Sequence, residues 1–356
     1  MTTFENDDAA HLPEESLAAA VVPDASVEDS GEGRLIGRLL SRYRSAPALL
    51  GPGDDAAMIA APDGRFVISV DTLVENQDFR VVWPSGMQTS GYDVGWKSAA
   101  QNLSDINAMG AVATAAVISL SLPTDTPMDW VEGIAEGFSD ALETLGARQC
   151  SIAGGDVGRS GEISITAAVT GTLQGADPRV RSGARAGDIV AVAGNLGAAA
   201  AGLSLLDQAP VNSVAVPETW SETERRCVEL QLRPEPPLSQ GPVAVQHGAT
   251  SMMDISDGLL RDAKRIARSS GVVMSISSEG VDFDAALLKD AAARCGVDSR
   301  AWSLTGGEGH ALLATFPRLT DVPQGWNVIG EVLAGEASVL VDGMAPQELG
   351  FDHFSS

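Results

Sequence analysis

The sequence predicts an α/β protein of two domains that follow an acidic tail. With 356 residues, the chain is long enough for two domains of ordinary size, each with its own hydrophobic core. From residue 188 onward, short apolar runs alternate with amphipathic segments, which is typical of an α/β domain. The first 31 residues are acidic and rich in Ala, Ser and Pro without a sustained period, so we expect them to be disordered. The predicted domains are therefore 32–175 and 176–356.

Composition excludes several classes of protein. A formal net charge of −25 gives a surface that repels nucleic acid and anionic membranes. No apolar run is long enough to span a bilayer, and acids rather than a basic segment follow Met1. The three cysteines are far apart, which argues against a disulfide framework or a zinc site. We expect a cytoplasmic protein without a signal peptide.

The most informative segment is 95–110, which has the pattern of a single helix. Its apolar residues recur at steps of three and four, and Gly110 can end the helix because glycine adopts the left-handed conformation cheaply. In contrast to the apolar stripe, Asn102, Asp105 and Asn107 are short, polar and poor helix formers. A helix that retains such residues is expected to use them, although a solvated helix face remains the alternative for this segment taken alone.

The remaining elements follow from the same kinds of pattern. Thr126 should cap a helix that has Pro127 at its first position and Asp129 in its first turn. We expect 154–161 to be a Gly-rich turn and 208–241 to be a linker or insertion. Further helices are predicted at 32–44, 197–206, 259–269 and 284–295, and strands at 66–70, 113–120, 150–153, 163–173, 188–193, 272–276, 327–332 and 338–341.

Seven acids lie in predicted turns, at strand ends or on the helix 95–110, and several have glycine beside them. They are Asp54, Asp55, Asp71, Asp105, Asp156, Asp254 and Asp257. Converging carboxylates repel each other strongly at low dielectric, and magnesium ions would remove that repulsion while binding phosphate oxygens. This is the arrangement that phosphoryl transfer requires. Taken singly, each acid could equally be an ordinary surface carboxylate.

The common nucleotide-binding motifs are missing from the sequence. It has no Gly-x-x-x-x-Gly-Lys-Ser/Thr loop and no kinase-type Gly-rich loop with its lysine. The acids would therefore have to hold a triphosphate through metal. Residues 252–258 predict a strand and an acid-bearing turn before a helix, whose first N–H groups attract phosphate. His247, His310 and His353 are interpreted as ordinary histidines.

Seven short motifs occur in an order that resembles the thiamine-monophosphate kinase family, which belongs to the superfamily of aminoimidazole ribonucleotide synthetase. The resemblance covers about 32–354. The motifs are Gly-Asp-Asp at 53–55, Val-Asp-Thr-Leu-Val-Glu at 70–75, Gly-Trp-Lys…Leu-Ser-Asp…Ala-Met-Gly at 95–110, Gly-Gly-Asp at 154–156, Arg-Ser-Gly-Ala at 181–184, Asp-Ile-Ser-Asp-Gly-Leu at 254–259 and Gly-Gly-Glu at 306–308.

This resemblance implies a fold, a reaction and an assembly. The expected fold is the two-domain aminoimidazole ribonucleotide synthetase-like fold, with an N-terminal mixed sheet and a C-terminal α/β domain. The expected reaction converts ATP and thiamine monophosphate into ADP and thiamine diphosphate, with several Mg²⁺ ions. The expected assembly is a homodimer built from the N-terminal domains, with the active site between the N- and C-terminal domains.

The resemblance also implies the site residues, position by position. The metal ligands are Asp54, Ser69, Asp71, Asp105, Asp156, Asp254 and Asp257, of which Asp105, Asp156 and Asp257 are expected to be catalytic. The ATP contacts are Phe138, Gly155, Asp156, Arg181 and Ser256. The substrate contacts are Asp78, Glu308 and Phe351.

Two departures from the family pattern lie on the acceptor side. Asp78 stands where the family usually has His, and Gly309-His310 stands where it usually has Asp-Tyr. Other members of the superfamily fit less well, because the first cysteine is Cys150 rather than one near the N-terminus and the chain does not end in cysteine. A non-catalytic cation-binding protein is the alternative from another class, although no twelve-residue calcium loop occurs.

Overall fold

The computed structural model describes residues 32–44, 61, 64–208 and 215–351. It is a mixed α/β structure with two β-sheets, which confirms the predicted fold class. The predicted tail, 1–31, and the predicted ligand Asp54 with its neighbour Asp55 lie outside the described residues.

The first sheet has four strands in the order β1-β4-β2-β3. Its strands are β1 (Val67–Val74), β2 (Val112–Leu122), β3 (Ser151–Arg159) and β4 (Ser164–Thr172). The β2–β3 pair is parallel and the other two pairs are antiparallel. As a result, β1 and β3 form the two edges of the sheet.

Three helices belong to this half of the molecule. They are α1 (Glu32–Arg42), α2 (Gly91–Ala108) and α3 (Met128–Thr144). Alternate residues of β4, including Ile165 and Val169, are fully buried in the core that these helices share with the sheet. Helices α2 and α3 cross closely, since a Cβ atom on Gly95 would lie 2.0 Å from the carbonyl oxygen of Ile134. Gly110 has φ +74°, which confirms the predicted end of α2.

The second sheet has six strands in the order β10-β7-β9-β5-β8-β6. The strands are β5 (Ile189–Ala193), β6 (Ser251–Ile255), β7 (Val273–Ile276), β8 (Ala311–Phe316), β9 (Asn327–Leu333) and β10 (Ser338–Val341). The helices of this half are α4 (Ala198–Leu206), α5 (Glu222–Leu232), α6 (Gln240–Gln246), α7 (Leu259–Ser270), α8 (Asp282–Leu287), α9 (Lys289–Cys295) and α10 (Ser299–Thr305). No helix in these described ranges is long and apolar enough to cross a membrane.

Four local predictions were wrong. The N-cap of α3 is Pro127 and no side chain caps the helix, while the Thr126 hydroxyl donates backwards to Pro123 O at 2.9 Å. The segment 154–159 is not a turn but the second half of β3, since it pairs with β2. The predicted linker 208–241 contains α5, and the predicted helix 284–295 is divided between α8 and α9.

Helix α2 joins the two halves of the structure. The indole Nε1 of Trp96 donates to Pro234 O at 2.9 Å, and Asn107 Oδ1 accepts the backbone N–H of Gly241 at 2.8 Å. Both partners lie in the half that contains the six-stranded sheet. Residues on this helix are therefore placed between the sheets, where side chains from both halves can meet them.

Candidate active site

A cleft of about 460 Å³ opens where β1, α2 and β6 come together. Four residues that the sequence predicts to be functional line it, namely Ser69, Asp105, Arg181 and Asp254. They come from four separate parts of the chain, so only the packing of the two halves brings them together. The cleft is the place where these four of the predicted metal and nucleotide residues converge.

Hydrogen bonds support the group of Ser69, Asp71, Asp105 and Asp254 at one side of this cleft, which we call the acidic wall. Asp105 on α2 accepts a short hydrogen bond from the Ser69 hydroxyl on β1. One turn earlier on α2, Asn102 Oδ1 accepts the backbone N–H of Asp71 at 3.1 Å. Asp254 near the end of β6 is 5% exposed, and its Oδ2 accepts the Ser104 hydroxyl at 3.1 Å. Because Ser69 and Ser104 are short side chains, the carboxylates of Asp105 and Asp254 have little freedom to move apart.

The electrostatics of the wall reflect its crowding. Burial, and after it the neighbouring carboxylate of Asp254, raise the pKa of Asp105 from 3.8 to about 6, although the hydrogen bond from Ser69 opposes the change. Burial also raises the pKa of Asp71, with His310 opposing this effect and Asp254 adding to it. Such carboxylates would be stabilised in their charged form by a nearby cation.

The donors of this wall are chemically suited to a hard cation. Carboxylate and hydroxyl oxygens are the ligands that Mg²⁺ prefers, and no soft sulfur donor is among them. Within the described residues, however, no three His, Cys, Asp or Glu side chains already form a group that could hold one ion. The residues of the wall therefore match Mg²⁺ in the type of their donor atoms and in their charge.

His310 is the basic neighbour of the wall. Its Nδ1 lies 3.2 Å from Asp254 Oδ2, and its side chain is 8% exposed. Burial lowers the pKa of His310, but the hydrogen bond and charge of Asp254 outweigh burial and raise it above its usual value. The residue is thus a buried histidine whose partner is a predicted ligand.

The turn after β6 holds Ser256 and Asp257 beside α7. The carboxylate of Asp262 is fully buried and accepts the backbone N–H groups of Ser256 at 3.1 Å and of Asp257 at 3.0 Å. Arg265 Nη2 binds Asp257 Oδ2 at 2.5 Å. Asp257 is therefore held by an arginine rather than by the acidic wall.

Two of the predicted acceptor-side residues, Asp78 and Glu308, meet at Lys97 in the N-terminal half of α2. Lys97 forms an ion pair with Glu308 and donates to the backbone oxygen of Asp78 at 3.1 Å. The backbone N–H of Phe351 donates to Asp257 O at 2.9 Å, which attaches that segment to the turn after β6. Asp78 and Glu308 are thus joined through Lys97, whereas Phe351 adjoins the turn after β6.

Comparison with known proteins identifies the relatives of this chain. The family described as AIR synthase related protein, N-terminal domain, matches residues 53–173. A thiamine-monophosphate kinase from Mycobacterium tuberculosis is 41% identical over 319 residues, which cover 89% of this chain and 90% of that protein. The chain belongs to the thiamine-monophosphate kinase family. A second such kinase, from Corynebacterium glutamicum, is 37% identical and covers 79% of this chain and 80% of that protein.

Among solved structures, AaThiL complexed with AMPPCP and TMP is similar at a TM-score of 0.70. It is 32% identical in sequence, and the match covers 85% of this chain and 91% of that chain. The family likeness therefore extends over both sheets rather than over the first half alone.

Three residues that the family resemblance implied lie away from the cleft. Gly155 and Asp156 are exposed on the edge strand β3. Since β1 and β3 are separated by two strands, Asp156 lies about 14 Å from the β1 residues across the sheet. Phe138 is 0% exposed within the core around α3, so the prediction that it contacts ATP is corrected.

Sequence patterns alone missed the importance of Lys97 for this member of the family. The lysine was visible only as part of the Gly-Trp-Lys motif. A signal was nevertheless present, because the chain has only three lysines and Lys97 stands within an apolar helix pattern. A charge at a buried helix position requires a partner, and the partners could not be read from local spacing.

Proposed function

We propose that this chain transfers the γ-phosphoryl group of ATP to thiamine monophosphate, which gives ADP and thiamine diphosphate in the biosynthesis of that cofactor. The observation that carries the proposal is the meeting of Ser69, Asp105, Asp254 and Arg181 at one cleft in a member of this kinase family. Phosphoryl transfer depends on positioning and on charge neutralisation, and this cleft has groups for both. The AaThiL complex with AMPPCP, an ATP analogue, and TMP supports the two substrates.

At the nucleotide end, we assign ATP contacts to Gly155, Asp156, Arg181 and Ser256. The guanidinium of Arg181 can bind phosphate oxygens through two parallel N–H groups. The Ser270 hydroxyl donates to the backbone oxygen of Arg181 at 3.0 Å and so supports this segment. The N–H of Ser256 is already bound to Asp262, so Ser256 would contact ATP through its hydroxyl.

Magnesium is the metal that we propose for the acidic wall. Ser69, Asp71, Asp105 and Asp254 would hold it, with Asp54, Asp156 and Asp257 as further ligands. When bound, Mg²⁺ would neutralise charge on the transferred phosphoryl group. The protein holds the oxygen donors in place through Asn102 and Ser104. Among the ligands, we propose that Asp105, Asp156 and Asp257 are catalytic.

At the acceptor end, we assign thiamine contacts to Asp78, Glu308 and Phe351. The thiazolium ring is cationic, so carboxylates and an aromatic face suit it. Phe351 lies at the surface and is 57% exposed. The acceptor phosphate oxygen attacks the γ-phosphorus directly. Because that oxygen is already ionised at neutral pH, the step does not require a strong general base.

We also propose a homodimer that buries the open face of the first sheet. Ile68 and Val70 on β1 are 65% and 60% exposed, and Val117 on β2 is 45% exposed. Val70 and Val117 both pair with Ala168 of β4, so they lie in one row on the same face. Adjacent exposed apolar side chains of this size are typical of a surface that is covered by a partner.

The two edges of this sheet suggest how the copies pair. Ser69 and Asp71 lie on edge strand β1, whereas Gly155 and Asp156 lie on edge strand β3. A two-fold dimer that places β1 against β3 of the partner subunit would bring the two sets together. The reaction is proposed to take place in the cytoplasm, which agrees with the free state of Cys150, Cys227 and Cys295.

Product analysis tests this function. The purified full-length protein is incubated with ATP, magnesium and thiamine monophosphate, and the thiamine phosphates are separated by chromatography. Thiamine diphosphate formed in step with ADP is the expected result. ADP without thiamine diphosphate would contradict the acceptor assignment, and a folded protein that forms neither product would contradict the kinase activity.

A further inference from the structure

Lys97 is the buried lysine of this chain. The side chain is 4% exposed in the middle of α2, whereas Lys264 is partly exposed and Lys289 is exposed. Burying an ammonium group is costly unless it is paired and hydrogen-bonded. The surroundings of Lys97 therefore have to supply acceptors for its three N–H groups.

Three hydrogen-bond acceptors surround the ammonium group of Lys97. Glu308 Oε2 forms the ion pair, and Asp78 O accepts at 3.1 Å. The amide of Gln231, oriented so that its nitrogen donates to Ala199 O at 3.0 Å, places its oxygen 3.2 Å from Lys97 Nζ. These acceptors come from the loop after β1, the loop before β8 and helix α5. One side chain thus connects three segments that are distant in sequence.

The Glu308 end of this network is held in an unusual conformation. Glu308 has φ +67°, a left-handed conformation that non-glycine residues rarely adopt. Its backbone N–H donates to Ser256 O at 2.8 Å. The carboxylate side chain remains 38% exposed, so it keeps a side that faces solvent while Lys97 binds Oε2. Burial favours a raised pKa for Glu308, but Lys97 holds that pKa below its usual range.

We propose that Lys97 is a positioning residue. It fixes the Glu308 carboxylate and the Asp78 loop in the arrangement that binds the acceptor, thiamine monophosphate. This inference rests on the proposed function. Without the ammonium group, Glu308 would turn toward solvent and the loop after β1 would lose its connection to the second half. The nucleotide end, around Arg181 and Ser256, does not contact Lys97, so its affinity for ATP should be preserved.

Steady-state kinetics of Lys97→Met in the full-length protein test the proposal. We expect the KM for thiamine monophosphate to rise about 10- to 100-fold, as for the loss of one partner of a buried charge pair, with the KM for ATP within about twofold of wild type. Lys289→Met, which removes an exposed lysine on α9, is the matched control and should match wild type in both constants.

A double-mutant cycle separates positioning from simple structural support. In the Glu308→Gln background, Lys97→Met should raise the acceptor KM by clearly less than it does in wild type, because one of the two groups that it positions is already altered. Independent, additive effects would overturn the proposal, as would an unchanged acceptor KM in Lys97→Met. A lowered melting temperature with equal increases in both KM values would overturn it too.

A milder variant covers the case in which Lys97→Met does not fold. Gln231→Leu removes one hydrogen-bond acceptor of Lys97 and leaves the Lys97–Glu308 pair in place. It should raise the KM for thiamine monophosphate by about two- to tenfold. An acceptor KM equal to that of wild type in this variant would count against the proposal. Failure of the proposed function itself is distinguishable, because wild type would then form no thiamine diphosphate.

Discussion

Ser104 Oγ donates to Asp254 Oδ2 at 3.1 Å, and this hydrogen bond joins α2 to the end of β6. The next residue along the helix is Asp105. The same contact that connects the two halves therefore holds two carboxylates near each other. Burial and the repulsion between these carboxylates together raise the pKa of Asp105, and this is the cost of preparing a site for cations before they bind.

Asp105→Asn should stabilise the protein in excess EDTA. The folded-state pKa of about 6 lies above the ordinary 3.8, so between these values the folded state binds more protons than the unfolded state. The free energy of unfolding of wild type therefore falls as pH rises from about 4 to 6. The variant should gain about 1 to 3 kcal/mol above pH 6 and almost nothing near pH 4. Urea unfolding at several pH values measures this, and a gain independent of pH would contradict it.

The same substitution should abolish most of the activity. Asparagine keeps an oxygen that can accept from Ser69, but it removes the charge that a metal-dependent phosphoryl transfer uses. We expect kcat to fall by about two orders of magnitude or more. Asp125→Asn, at an exposed position, is the control and should remain active. Wild-type turnover by Asp105→Asn would refute the role assigned to this residue.

Chelation should remove activity reversibly. Excess EDTA is expected to stop formation of thiamine diphosphate, and added MgCl₂ should restore it, because the carboxylate wall requires a cation to approach phosphate. The product assay before and after addition measures this. Turnover that persists in excess EDTA would eliminate the metal-dependent mechanism.

Asp78→Asn should weaken the binding of thiamine monophosphate without affecting that of ATP. Asp78 Oδ2 accepts the backbone N–H of Val74 at 2.8 Å, and an amide oxygen can take over that hydrogen bond. The variant therefore removes the charge and keeps the turn. For a partly exposed charge we expect the KM for thiamine monophosphate to rise about two- to fivefold, with the KM for ATP unchanged. An unchanged acceptor KM would limit Asp78 to its structural role in the turn.

Subunit complementation should reveal a shared site. Asp71→Asn and Asp156→Asn are each expected to be inactive. If β1 meets β3 of the partner subunit, half of the subunit pairs in an equimolar mixture are mixed, and each mixed pair has one intact site. Refolding the two variants together should then recover about a quarter of wild-type activity. No recovery from a mixture that is shown to be dimeric would mean that each site is built within one subunit.

Several features of the fold could be predicted from the sequence because they depend on neighbours along the chain. The apolar period of α2, its stop at Gly110 and the acid-bearing turn after β6 are local patterns, and the structure confirms them. Local patterns failed where long-range pairing prevailed. The glycines at 154 and 155 read as a turn, yet pairing with β2 extends them into β3.

Tertiary structure alone decided which residues meet. The order of motifs indicated the family, but the burial of Phe138, the contact of His310 with Asp254 and the acceptors around Lys97 each depend on packing between segments far apart in sequence. A buried polar group requires a partner, and the sequence records that requirement without naming the partner. The acids themselves can thus be recognised in the sequence, whereas their arrangement around a cleft follows from how two sheets pack against one helix.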